Sequence, residues 1–154
     1  MKNLKKYALF AEIVGGIGII ISIVYLAFQV SQNTANMKAT NAMSYSAEMN
    51  AVRLLRVEDS ELDKIVRIGQ QHLDSLSEDE TSRFYSYVLV RISSLENLLY
   101  MEEQGLFPDG YADALLPGYC ASLSAPSYRT IWADALSSFS SERMRIFMAE
   151  CYAD

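Results

Sequence analysis

The chain has 154 residues, of which 51% are hydrophobic, and a formal net charge of −6. Three of the 13 Lys+Arg and one of the 19 Asp+Glu precede residue 31, so residues 31–154 hold 10 against 18, a net of −8. That remainder is the size of one domain with its own core, and its acidity is a poor match for nucleic acid or an anionic lipid surface, which both select Lys and Arg. A solvated surface or a protein partner fits it better.

Residues 1–6 form a basic flank with Lys2, Lys5 and Lys6. The run Tyr7 to Val30 is apolar apart from Glu12 and extends for 24 residues. At about 1.5 Å per residue this is about 36 Å of helix, enough to cross a hydrocarbon core of about 30 Å. A transmembrane helix over 7–30 is therefore expected. A cleaved secretory signal shares the basic start, but its apolar stretch is roughly 7–15 residues and ends in a small-x-small site, which is missing here. Tyr7 and Phe10 at one end and Tyr25 and Phe28 at the other match aromatic belts at two interfaces.

Within the span, Ala11, Gly15, Gly18 and Ser22 recur at steps of four, three and four and form one stripe, with Gly16 beside it. Small residues so placed let helix backbones approach closely, which predicts a homo-oligomer formed through this face. Glu12 flanks the stripe. It either snorkels toward the headgroups with Lys5 or Lys6 or faces the interior of an oligomer, where water or an ion could meet it.

Residues 31–57 turn polar and small without any Gly or Pro, so the helix is expected to run on from about Leu4 to Val57. A polar helix of this kind needs neighbours or a wet lumen. Asn33, Asn36 and Thr40 are candidate lining positions for such a lumen. Three lysines before the span, against Lys38 alone in the twenty residues after it, place the N-terminus in the cytoplasm by the positive-inside rule.

The run ISIVYLAFQVSQNT at 21–34 resembles the membrane-exit segment of an uncharacterised family of small bacterial single-span membrane proteins. Its pattern of Tyr-Leu-Ala followed by Gln-x-x-Asn-Thr corresponds here to Tyr25, Leu26, Ala27, Gln29, Gln32, Asn33 and Thr34. The family often carries an Arg near Gln32, which this chain lacks. The resemblance implies an anchor helix followed by a helical domain and implies no activity. In a bacterium the predicted orientation puts that domain in the periplasm, held by the inner membrane.

Residues 58–154 read as a helical domain. Asp59 and Ser60 open a helix with Asp63 three residues after Ser60, in the manner of a capping box, and Leu62, Ile65, Val66, Ile68 and Leu73 form its apolar face. Ser77 caps the strongest helix of the domain, which has Glu78, Asp79 and Glu80 in its first turn, an apolar stripe of Phe84, Val88, Ile92, Leu95 and Leu99, and a stop at Gly105. Tyr111 to Leu116 reads as a short helix stopped by Pro117 and Gly118, with another turn from Cys120 to Ser124. A segment with Tyr128, Ile131, Trp132, Leu136 and Phe139 follows Pro126. Ser140 or Ser141 then caps a last helix with Met144, Phe147, Met148 and Cys151 on its apolar side. Period-two alternation is absent, so the fold class is all-α: an N-terminal transmembrane helix continuing as a long helix, then a small helical bundle.

A search for chemistry gives no cofactor, metal or catalytic set. His72 is the only histidine, so multi-histidine metal centres are excluded, and it reads as a surface or helix-end residue. Cys120 and Cys151 lack a spacing signature and are either free buried thiols or a disulfide. Gly15, Gly16 and Gly18 lack the Lys-Ser/Thr of a phosphate loop. Arg91, Glu96, Glu102 and Glu103 on one helix are an acid-base candidate, with an internal ion pair between Arg91 and a carboxylate as the simpler expectation. The sequence thus predicts a non-enzymatic single-pass membrane protein that self-associates and presents an acidic helical domain for scaffolding or partner binding. The alternative is an oligomeric pore lined by Glu12, Asn33, Asn36 and Thr40.

Overall fold

The structure is a computed structural model and describes residues 2–135 and 141–153. Every regular element among them is helical: α1 (Lys2–Glu58), α2 (Ser60–Gly69), a 3-10 turn (Leu73–Ser75), α3 (Glu78–Glu103), α4 (Tyr111–Leu123), α5 (Pro126–Ala135) and α6 (Glu142–Cys151). The chain divides into two compact units, Met1–Lys38 and Ala39–Asp154.

The described residues of the first unit are helix alone, as the continuous apolar run and the absence of Pro predict. It contains a stretch with a mean hydropathy of 2.3, and none of that stretch is buried. This is one helix long and apolar enough to cross a membrane. Two of its hydroxyls are satisfied within the helix: Ser22 Oγ donates to the Gly18 carbonyl at 2.8 Å and Thr34 Oγ1 to the Val30 carbonyl at 2.9 Å. In an apolar setting an unmet hydroxyl is costly, so these back-bonds remove a penalty that Ser and Thr would otherwise carry.

The second unit is built around α3, against which α2, α4, α5 and α6 all pack. Phe84, Val88, Ile92, Leu95, Leu98 and Leu99 on α3 are fully buried, the 3.6-residue periodicity of its sequence made physical. Ser77 and Glu80 form a reciprocal capping box at the start of α3. At its end Gly105 adopts φ +67°, with Leu106 N–H donating to Met101 C=O and Gly105 N–H to Glu102 C=O. This is a Schellman stop, in a left-handed conformation that a side chain disfavours. The last turns of α1 join the core through Tyr45 and Val52.

Several expectations are corrected. Asp59, not a Ser60–Asp63 box, caps α2: its side chain accepts from Leu62 N–H at 2.9 Å, while Asp63 takes Arg56 at 2.5 Å instead. Helix α4 does not stop at Pro117 and runs on to Leu123. Pro117 deprives the Asp113 carbonyl of its partner, a cost of about 3 kcal/mol, but it lies on the exposed side of α4. Continuing the helix buries Tyr119 and Leu123, each worth about 1.5–3 kcal/mol, which together offset the break. Cys120 and Cys151 are joined as a disulfide between α4 and α6, with Cα atoms 5.4 Å apart. Ser141 caps α6, accepting from Met144 N–H at 3.2 Å. The expected apolar positions Leu136 and Phe139, and the alternative cap Ser140, lie outside the described residues.

Candidate functional site

In the first unit, Ala11, Gly15, Gly18 and Ser22 are all exposed, and a Cβ built at Gly15, Gly16 or Gly18 meets nothing within 4 Å. No contact within the chain therefore requires glycine at those positions. At about 100° per residue the regular helix puts Gln29, Asn33 and Asn36 within the same arc of about 60° as the four small residues. Glu12 falls about a quarter turn from the centre of that arc, so Glu12 and the asparagines do not share one line. Thr40, in the second unit, is exposed.

In the second unit one of the carboxylates expected as acid-base candidates, Glu102, holds helices together. Glu102 Oε1 accepts from Ala112 N–H at 3.1 Å in the first turn of α4, where the helix dipole favours a negative charge. Its Oε2 pairs with Arg143 of α6. Burial pushes the Glu96 carboxyl up, against the Ser141 N–H and hydroxyl that hold its charged form. Glu96 lies by the cap of α6, with its Oε2 buried and without a hydrogen-bond partner. Glu103 is exposed.

Arg91 is not paired with a carboxylate, contrary to expectation. Its Nη2 donates to Ser122 Oγ at 3.0 Å, and the guanidinium lies 5.3 Å from the centre of the Tyr119 ring, a cation–π distance. Its Nε is buried with no hydrogen-bond partner, an omission that ordinarily costs about 1–3 kcal/mol. Tyr119 and Ser122 reach Arg91 only because α4 continues past Pro117. A reading that ends α4 at Leu116 cannot place them.

These residues line a groove of about 590 Å³ between α4 and the 45–53 turns of α1. Tyrosine hydroxyls clamp α1 along its wall. Tyr111 Oη donates to the Ala42 carbonyl at 3.0 Å and lies 2.8 Å from Ser46 Oγ. Tyr119 Oη contacts Tyr45 Oη and lies 3.0 Å from Met49 Sδ. Burial, then the hydrogen bond to Tyr119, push the Tyr45 hydroxyl well above its ordinary range, and burial likewise raises Tyr119. Both phenols therefore favour the neutral form and serve here as hydrogen-bonding groups.

Sequence reasoning singled out Arg91 but missed the groove. The available signal was the four-residue spacing of Tyr45, Met49 and Arg53, which sets them on one face of α1. Among the described residues no group of three or more His, Cys, Asp and Glu side chains converges to hold a metal ion. Fold and site define an all-α protein with one helix of membrane-spanning length and a helical bundle bearing a mixed polar and apolar groove. Comparison with protein-family models, curated proteins and solved structures found no match to this chain.

Proposed function

We propose that this is a single-pass protein of the bacterial inner membrane that self-associates through the Ala11, Gly15, Gly18 and Ser22 face and presents its acidic helical domain in the periplasm as a scaffold for a protein partner. The observation that carries this reading is the uncovered apolar stretch of α1, whose glycines no contact within the chain requires. Lipid and a second copy of the same helix are the surroundings that suit it. Crosslinking in native membranes gives a ladder of oligomers for the natural chain, and Gly15→Leu or Gly18→Leu shifts it toward monomer. A chain that is monomeric before and after either substitution removes the proposed role of this face.

Orientation is tested separately. The three lysines before the span, and a disulfide in the domain that persists best in an oxidising compartment, support a periplasmic domain. A C-terminal fusion to a reporter active only in the periplasm is expected to be active, and its cytoplasm-only counterpart inactive. The reverse pattern overturns the orientation while leaving the anchor intact.

A further inference from the structure

We propose that the groove between α4 and the 45–53 turns of α1 binds a small organic oxyanion, a carboxylate or phosphate head on an apolar body. This proposal does not depend on the membrane reading, because every wall of the groove belongs to the second unit.

Charge is the first reason. The domain is strongly acidic, yet Arg53 and Arg91 converge on this groove. The ion pairs among the described residues engage Arg56, Arg83, Arg143 and Arg145, so neither groove arginine has a carboxylate partner. Arg53 Nη1 donates only to Asn50 Oδ1, at 3.2 Å. A second hollow on the far side of Arg53 and Arg91 adds Arg56, with Asp63 as the one acid in its wall. Glu48 is the other acid whose field reaches the groove, where it opposes Arg91 at the Tyr45 and Tyr119 hydroxyls. It is exposed, as is Arg53, so solvent screens both more than the half-buried Arg91. The balance at the groove favours an anion.

The second reason is the state of Arg91. It is held in place by Ser122 and the Tyr119 ring, and its Nη1 donates to none of the described residues. A guanidinium fixed by neutral groups on one side keeps donors for a planar or tetrahedral oxyanion on the other. Size and lining are the third reason. About 590 Å³ lies within the usual range for a small-molecule site. The Asn50 amide, whose Oδ1 accepts from Arg53 and whose Nδ2 donates to no described group, offers a hydrogen bond to a head group, and Met49 and Leu115 offer an apolar wall to a body. Two arginines in a short groove suit a small molecule better than the extended backbone of a nucleic acid, which needs a longer positive track.

The test is calorimetric titration of the full chain in maltoside detergent with phenyl phosphate and benzoate, set against phenol as the neutral body and inorganic phosphate as the bare head. At least one aromatic anion is expected to bind, and to bind more weakly as salt rises, with phenol giving no comparable heat. Arg91→Gln and Arg53→Gln should each weaken binding about tenfold, Arg91→Lys should restore only part of the loss, and Arg145→Gln, on α6, should leave it unchanged. Fluorescence of Trp132, the single tryptophan, monitors folding. If Arg91→Gln does not fold, the exposed Arg53 substitution decides. Repeating the titration in nanodiscs containing phosphatidylglycerol separates the sources: competition by the bilayer assigns the head to a lipid phosphate, and undiminished binding assigns it to a free anion. Both results uphold an oxyanion site. Absence of binding by both aromatic anions, equal binding of phenol, or affinity indifferent to Arg53 and Arg91 overturns it.

Discussion

Phe84→Ala is expected to lower the unfolding free energy of the domain by about 3–5 kcal/mol. Phe84 is fully buried on α3, and two neighbours fix its position. A Cβ built at Gly69 would lie 2.7 Å from Phe84 Cδ2, so the ring rests on the α2 backbone. On another side the Tyr128 ring centroid is 5.7 Å away, with its hydroxyl held by Gln70 Nε2 at 3.3 Å. Neither the α2 backbone nor an anchored tyrosine can collapse into the space that alanine leaves, which puts the cost at the upper end for such truncations. Denaturant unfolding followed by Trp132 fluorescence measures it, since Trp132 is 5% exposed and belongs to the same core. Val90→Ala on the same helix, at a side chain 48% exposed, should cost under about 1 kcal/mol. Equal effects for the two substitutions would refute this account of the α3 core.

Loss of the Cys120–Cys151 bridge has the second large effect. The linked residues are 31 apart in sequence, and closing a loop of that size restricts the unfolded chain by about 3–4 kcal/mol on the loop-entropy account. The double variant Cys120→Ser, Cys151→Ser should lose about that much stability. Reductant should reproduce the loss in the natural chain and leave the variant unchanged. A natural chain indifferent to reductant would mean that the two thiols are unpaired. Folding itself should survive, because α6 keeps Met144 and Met148 fully buried and Arg143 paired with Glu102.

Much of the architecture was legible in the sequence because its signals are local. The apolar run, the lack of any break before Val57, the Ser77 cap and the Gly105 stop each depend on residues within a turn or two of one another. The Asp59 cap was misread for a related reason: Asp63 is claimed by Arg56, a partner seven positions back that a capping pattern does not consider. The candidate site was legible only in fragments. Arg91 stood out on α3, but its partners Tyr119 and Ser122 belong to a helix that local rules end at Pro117.

The sequence by itself determined an all-helical chain, a helix of membrane-spanning length, a small-residue face along it and the apolar stripe of α3, since hydrophobic period, chain length and turn chemistry are properties of neighbouring residues. Only the tertiary structure decided that α4 passes through its proline, that the two cysteines meet, and that Arg53 and Arg91 share a groove while Glu102 is spent on holding helices together. Those outcomes rest on burial and pairing between residues tens of positions apart, where packing energy of a few kcal/mol outweighs the local preference that the sequence displays.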